Sequence, residues 1–216
     1  KVKVSVDFFN IDYFRYSHDE VVNNFKTNQY DIVGISAVVS TAYAYTKYLS
    51  KLIKEVSSKT IIIVGGNLAA SAEILLRKCS VDYCVIGDGE LIMQNLVIAL
   101  AEDTITDKKL ELIKGISFIS KDNSFVFTGY GDRLPADLIE TPDFTILEKN
   151  GSLSHFIYET KEMHGGEEGI QKLIKPRGKN SMITLTTKGC VARCTFCHRW
   201  EKGYRVRPIN QVIDHI

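Results

Sequence analysis

Three cysteines near the carboxyl end of the chain have the spacing of ligands to one metal centre. Cys190, Cys194 and Cys197 follow the pattern Cys-x3-Cys-x2-Cys, so three thiolates on one short loop can converge on a small object. A structural zinc site takes four protein ligands in a closed tetrahedron, whereas a cubane iron-sulfur cluster with one open iron is satisfied by three. The spacing therefore favours a [4Fe-4S] cluster.

A zinc site is the alternative, and it needs a further ligand from His198 or from the pair Cys79 and Cys84. These two cysteines are better explained as small buried apolar residues, because Cys79 ends a predicted helix and Cys84 lies in a predicted strand. His198 and Arg199 follow the last cysteine, where a polar residue suits a ligand-facing role and a loop-capping role equally. With zinc, the chain would be a zinc-stabilised interaction protein.

The elements ahead of this loop alternate between apolar runs and helix-period segments, which is typical of βαβ units around a parallel sheet. The predicted strands cover residues 2–9, 31–38, 60–64 and 82–86. The predicted helices cover residues 19–28, 45–56, 68–78 and 90–101. Residues 115–120 and 124–129 predict a hairpin at the end of this region. The fold class is therefore α/β, with a doubly wound, Rossmann or flavodoxin-like parallel sheet.

Small residues lie at the ends of three of these predicted strands. They are Ser36 near the end of the second strand, Gly65 and Gly66 after the third, and Gly87, Gly89 and the neighbouring Glu90 after the fourth. An open parallel sheet binds its ligand in the crevice beyond the carboxyl ends of its strands, and glycine lets a ligand approach the backbone closely. No Gly-x-Gly-x-x-Gly follows the first predicted strand and no P-loop occurs, so NAD and ATP sites are disfavoured.

The remaining chain predicts a domain boundary. Residues 1–128 form the predicted α/β domain, and residues 129–180, with three of the four prolines, form a predicted linker. Residues 181–187 predict a strand that leads into the cysteine loop, and Pro208 begins a predicted helix. We expect residues 181–216 to start a second domain.

The cysteine loop resembles that of the radical S-adenosylmethionine (SAM) family, which has this spacing, an aromatic residue before the last cysteine and a position after the first strand of a partial TIM barrel. Phe196 stands in the aromatic place. The resemblance implies that the three cysteines each bind one iron of a [4Fe-4S] cluster and that SAM chelates the fourth. Reductive cleavage of SAM then gives a 5′-deoxyadenosyl radical, which Phe196 helps to shield.

The glycine-containing loops resemble the cobalamin-binding domain that precedes the barrel in B12-dependent radical SAM proteins. The resemblance implies that Ser36, Gly65 and Gly66 lie along the nucleotide tail of the corrinoid, with Gly87, Gly89 and Glu90 as further cofactor-binding positions. One departure is that residues 9–15 read FNIDYFR, so the histidine that ligates cobalt in mutase-type domains has no counterpart.

Together, the resemblances imply the N-terminal part of a cobalamin-dependent radical SAM enzyme. Methyl transfer to an unactivated centre is the commonest outcome in such proteins, and ring formation and rearrangement also occur. The implied partners are a small-molecule substrate and an external electron donor. Because the predicted barrel stops within its first β/α unit, we expect the chain alone to be inactive. A corrinoid or tetrapyrrole carrier with an electron-transfer cluster is the alternative.

The composition indicates which partners and which compartment to expect for this protein. The 27 Lys and Arg nearly balance the 26 Asp and Glu, so nucleic acid and membrane surfaces are poor candidate partners. No run approaches the roughly 20 apolar residues of a membrane span, and the odd cysteine count fits a reducing compartment, so we expect a cytoplasmic protein. Residues 164–168, His-Gly-Gly-Glu-Glu, resemble the SAM-contacting element of radical SAM barrels but precede the first predicted barrel strand. They are interpreted as linker.

Overall fold

The computed structural model describes residues 3–102, 105–140, 142–159, 180–195, 197–198 and 203–214. The chain divides into two compact units. The first contains Ser17–Pro135 and Gly189–Tyr204, and the second contains Lys3–Tyr16, Ala136–Lys188 and Arg205–Ile216. The predicted domain boundaries, after residues 128 and 180, stay a prediction.

A five-stranded sheet forms the centre of the first unit. Its strands are β1 (Ile32–Ser36), β2 (Ile61–Gly65), β3 (Tyr83–Val85), β4 (Ile116–Ile119) and β5 (Phe125–Phe127), in that spatial order. The first three strands are parallel, while β4 is antiparallel to both β3 and β5. The predicted hairpin is therefore confirmed, and it extends the sheet instead of standing outside it.

Helices cover both faces of this sheet. The helices of the described chain are α1 (Ile11–Phe14), α2 (His18–Thr27), α3 (Tyr43–Val56), α4 (Ala72–Lys78), α5 (Gly89–Leu100), α6 (Asp107–Glu111), α7 (Thr145–Lys149) and α8 (Ile209–Ile213). Helix α2 begins with a capping box, in which the Glu20 carboxylate accepts the backbone N–H of Ser17 at 2.8 Å. A short 3-10 turn, Asn67–Ser71, leads into α4.

Alternation along the strands explains the two layers. On one face, apolar side chains of β2, β3 and β4 join those of α5 and α6 in a buried core made of Ile63, Val85, Ile92, Leu96, Leu110, Ile116 and Phe118. The intervening residues Ile62, Val64 and Cys84 are also buried, and they lie on the opposite face, where α4 packs against β3 and β4. The predicted α/β fold is confirmed, with a mixed sheet instead of a wholly parallel one.

The predicted first strand is wrong for the residues that the structure describes. Residues 3–9 have no strand hydrogen bonding, although their alternating valines match the period of a strand. Val4 and Val6 are exposed, at 56% and 65% of the residue surface. A strand is stabilised by a ladder with a neighbour, and none of the described segments pairs with this one.

The predicted strand over residues 181–187 is divided. Strand β6 (Ile157–Glu159) pairs antiparallel with β7 (Asn180–Met182), and β8 (Thr187–Cys190) forms a second pair with β9 (Gly203–Val206). Two carbonyl groups of the segment between β7 and β8 accept hydrogen bonds from Arg207. Its Nη1 donates to the carbonyl of Leu185 at 2.7 Å, and its backbone N–H donates to the carbonyl of Thr186 at 3.0 Å. These two carbonyls are therefore hydrogen-bonded without belonging to a strand. Helix α8 begins after Pro208, as predicted.

No helix in the described part of the chain is long and apolar enough to cross a membrane.

Candidate functional site

The carboxyl edge of the sheet gathers the predicted ligand-binding loops. Ser36 ends β1 and Gly65 ends β2, and the two are direct neighbours in the parallel register. Gly87 comes two residues after the last residue of β3, so its loop leaves the sheet at the same edge. The structure therefore brings the three loops together, as expected for the carboxyl ends of adjacent parallel strands.

Gly65 and Gly66, at the end of β2, have different surroundings. Gly66 has a φ of +81°, and a Cβ atom there would lie 2.5 Å from the carbonyl oxygen of Ala37. The contact is fixed by backbone hydrogen bonds, in which Ala37 donates to Gly65 at 3.0 Å and Leu68 donates to Ala37 at 3.0 Å. Packing within the chain thus explains Gly66. A Cβ at Gly65 would meet no atom within 4 Å, so this position leaves space at the edge.

The loop after β3 is held by a buried carboxylate that the sequence-based set omitted. Asp88 is 5% exposed and accepts the backbone N–H of Leu134 at 2.9 Å through Oδ2. Gly87 before it has a φ of +118°, which strongly favours glycine. Gly89 begins α5, and the exposed Glu90 lies in its first turn. Acidic residues are common in such loops, so the sequence alone did not single out Asp88.

Apolar side chains are exposed beside these loops. Val38 and Val39 follow Ser36 and are 61% and 57% exposed, and Leu91 follows Glu90 and is 46% exposed. Exposed apolar side chains close to a ligand-binding edge are a common feature of binding surfaces. The sequence reasoning assigned these positions to a strand end and to a helix, so their exposure was not predicted.

The cysteine loop exposes three thiols that form no disulfide. Cys190 is the last residue of β8 instead of lying beyond it, and Cys194 and Cys197 follow in the loop. The backbone N–H of Ala192 points to the Sγ atom of Cys190 at 3.4 Å, a contact of the kind that tunes cluster-bound sulfur. Three exposed, unbridged thiols, one of which accepts a backbone N–H, have the chemistry that suits an iron-sulfur cluster. Phe196 lies outside the described residues, as do residues 164–168.

Within the described ranges, no three His, Cys, Asp or Glu side chains are placed to hold a single metal ion. Cys190, Cys194 and Cys197 are among the described residues, so the structure does not group them around one metal ion, and the cluster and the zinc alternative both stay predictions. His198 lies near Tyr130, with 3.5 Å between its Nε2 atom and the tyrosine hydroxyl.

The remaining two cysteines behave as core residues. Cys84 is fully buried in β3, and burial raises the pKa of its thiol to about 12. Cys79, at the end of α4, is half-buried, and burial raises its pKa as well. Thiols with raised pKa values stay protonated at neutral pH and are poor nucleophiles. The interpretation of both as packing residues fits this burial.

A family model matches the part of the chain that contains the loops after β1, β2 and β3. Residues 4–97 match the family model of the B12 binding domain. This region is a B12-binding domain. The predicted kinship with B12-dependent radical SAM proteins is thereby confirmed, and the exposed loops described above lie at the carboxyl edge of the B12-binding domain's sheet.

The similarity to curated relatives extends beyond the B12-binding domain. The chain is 26% identical to an anaerobic magnesium-protoporphyrin IX monomethyl ester cyclase of Cereibacter sphaeroides, over 93% of the chain and 30% of the relative. It is 28% identical to an uncharacterised methyltransferase of Pyrococcus horikoshii, over 86% and 36%. It is 24% identical to cytidylyl-2-hydroxyethylphosphonate methyltransferase of Streptomyces wedmorensis, over 93% and 39%. The chain spans about a third of the length of these relatives.

A solved structure shares the fold. It is the cobalamin-dependent S-adenosylmethionine radical enzyme OxsB with aqua-cobalamin and S-adenosylmethionine bound. The similarity has a TM-score of 0.63 at 21% identity and covers 91% of this chain and 24% of that one. The B12-binding domain and the segment after it therefore have a fold found in an enzyme of this class.

Proposed function

We propose that the chain is the N-terminal part of a cobalamin-dependent radical SAM enzyme that transfers a methyl group to an unactivated centre of a small-molecule substrate. The observation that supports this most is that the cysteine loop belongs to the same compact unit as the B12-binding sheet. Such an enzyme needs its cluster and its corrinoid near one substrate. The proposed electron donor is an external protein or small reductant.

In the proposed enzyme, the loops at the carboxyl edge of the sheet hold the corrinoid. Ser36 and Gly65, side by side at the ends of β1 and β2, offer a hydroxyl and open space to the nucleotide tail. Gly66, Gly87 and Gly89 shape the adjoining backbone, and Asp88 keeps the loop after β3 in place. Val38, Val39 and Leu91 supply apolar contact to the corrin ring.

In the proposed enzyme, a [4Fe-4S] cluster with one open iron would be held by Cys190, Cys194 and Cys197. When bound, the cluster supplies the electron for reductive cleavage of SAM, and cobalamin supplies the methyl group. The three thiols must be deprotonated to bind iron, and Ala192 already donates to one of them. Phe196 is proposed to exclude water beside the cluster.

Two classes of outcome are represented among the relatives. Two of the three named proteins are methyltransferases and one is a cyclase. Methyl transfer is the primary proposal. Ring formation on a tetrapyrrole-type substrate is the second candidate, favoured by the match to the cyclase. Transfer of an isotopically labelled methyl group from SAM, in an enzyme containing this chain, distinguishes the two.

The test separates the two cofactor sites by matched variants. The chain is reconstituted anaerobically with iron and sulfide, mixed with hydroxocobalamin and desalted, and iron and corrinoid are then measured. Gly65→Val fills the open space at the edge and is expected to weaken corrinoid retention about tenfold, while cluster assembly is unchanged. Gly34→Val, within β1 and also free of neighbours within 4 Å, is the control. Equal corrinoid retention in both variants, or none in the wild type, would contradict the proposal.

A further inference from the structure

Strand β1 has the sequence of an internal strand but the exposure of an edge strand. It reads Ile-Val-Gly-Ile-Ser, which is nearly as apolar as the sequence Ile-Ile-Ile-Val-Gly of its neighbour β2. In β2, Ile62, Ile63 and Val64 are buried, whereas every residue of β1 is half-buried or exposed. A nearly continuous apolar sequence is typical of parallel strands that are buried on both faces. The described chain therefore leaves partly uncovered a strand whose sequence suits an internal position.

The backbone of β1 is open along the side that faces away from β2. The hydrogen bonds to β2 begin at the carbonyl of Asp31, which accepts the N–H of Ile61 at 2.9 Å. Backbone groups alternate in direction along a strand, so every second residue from Asp31 faces β2, whereas Ile32, Gly34 and Ser36 direct their backbone groups away from it. Because β1 is the terminal strand of the sheet, no strand of the described chain pairs with these groups.

The segment of residues 3–9 has the complementary deficit, because it has the pattern of a strand and no ladder. Val4, Val6 and Phe8 recur at the period of a strand, and all three are exposed. The end of the segment is held within its own compact unit, where Asn150 donates from Nδ2 to the carbonyl of Phe8 at 2.7 Å. None of the described strands pairs with this segment. Each copy of the chain therefore carries one open edge and one unpaired segment that fits such an edge.

We propose that the protein forms a dimer in which residues 3–9 of each copy add as a strand to the open edge of β1 in the other copy. The added strand pairs with the outward backbone groups of β1, and its valines cover the apolar side chains of that strand. The exchange is reciprocal, so one dimer contains the contact twice, as a two-fold interface requires. The strand at the other end of the sheet, β5, has only three residues and offers a shorter edge. The dimer needs neither the corrinoid nor the cluster, so it goes beyond the proposed function.

The first test measures the mass of the chain in solution across a concentration series, by light scattering after size exclusion. A reductant is present so that the exposed thiols do not cross-link copies. Gly34→Pro removes an N–H that faces away from β2, a position at which an edge strand tolerates proline. We expect this variant to raise the Kd of the dimer at least tenfold. Gly34→Ala keeps the N–H, and its Cβ atom meets no neighbour within 4 Å, so it should dimerise like the wild type.

A second variant changes the added strand instead of the edge, which keeps the test valid if Gly34→Pro does not fold. Val6 is exposed in the single chain, so Val6→Lys should leave Tm unchanged. In the dimer it places a charge against the apolar side chains of β1, and we expect at least a tenfold rise in the Kd. Ile74→Lys is the matched control, because Ile74 is an exposed apolar residue on α4, and it should not alter the Kd.

The third measurement identifies which copy supplies the strand. Isotope-labelled and unlabelled chains are mixed, and isotope-filtered NOEs are expected between the methyl groups of Val6 in one copy and the amide of Gly34 in the other. A monomer at all concentrations, a dimer that neither Gly34→Pro nor Val6→Lys weakens, or NOEs within one copy only would overturn the proposal. Retention of corrinoid and iron by such a monomer would leave the proposed function standing.

Discussion

The loops at the carboxyl edge of the sheet and the cysteine loop are held by the protein in different ways. Around Gly66, backbone hydrogen bonds join Ala37, Gly65 and Leu68, and the buried Asp88 fixes the next loop. In the cysteine loop all three thiols are exposed. The edge of the sheet is therefore shaped before a cofactor binds, whereas we expect the cysteine loop to gain its final geometry with the cluster. Metal binding and local folding are often coupled in this way.

The largest effect is expected at the cysteine loop. Cys194→Ala removes one of three ligands, so iron after reconstitution should fall from about four atoms per chain to nearly none. Because the thiol is exposed, Tm should not change. Iron analysis and absorbance near 400 nm, with thermal unfolding alongside, check both expectations. Cys79→Ala is the control and should keep the iron; global unfolding of Cys194→Ala would contradict the contrast between the two regions.

The next effect is expected at the edge of the sheet. Gly66→Ala places a Cβ atom 2.5 Å from the carbonyl oxygen of Ala37 on a backbone with φ of +81°. We expect a loss of about 3 kcal/mol in the free energy of unfolding, from backbone strain and displacement of the Ala37 loop. Urea denaturation measures it. Gly65→Ala meets no neighbour and should differ from the wild type by much less; similar losses in both variants would show that the edge is not rigid.

A smaller effect is expected at Asp88. Asp88→Ala leaves the buried N–H of Leu134 without this acceptor, which should cost about 2 kcal/mol in the free energy of unfolding. Asp88→Asn keeps an acceptor oxygen and should recover more than half of that loss. Hydrogen exchange of the Leu134 amide gives a local readout. Unchanged protection of this amide in Asp88→Ala would argue against a preformed loop.

The smallest effect concerns pH and Cys84. Burial raises its pKa from 9.0 to about 12, so the unfolded chain loses this proton at a lower pH than the folded chain does. The contribution to stability is complete below about pH 9 and decreases as pH rises towards 12. Loss of this contribution between about pH 8 and pH 10 should lower the free energy of unfolding by about 1 kcal/mol. Urea denaturation of Cys84→Ala should lack this part of the decrease, and an identical decrease would refute the burial argument.

Local pattern was sufficient for most elements of the first unit. Apolar β-rich runs predicted β1, β2 and β3, and the helical spacing of residues 45–56 predicted α3, because both periods are properties of neighbouring residues. The same reasoning failed for residues 3–9, where the alternating valines have the period of a strand but no described partner. Pairing is a property of distant segments, so periodicity cannot establish it.

The chemistry of the candidate sites was readable from the sequence: three thiols at fixed spacing, and small residues after successive strands. These follow from residue type and order, which tertiary contacts do not change. Only the tertiary structure showed that Ser36 and Gly65 are neighbours. It also showed that Gly66 has no room for a Cβ atom because of the Ala37 carbonyl, whereas Gly65 leaves open space. The burial of Asp88 and Ser117 likewise came from the structure. Those facts depend on which distant backbone and side-chain atoms meet when the sheet and its helices pack.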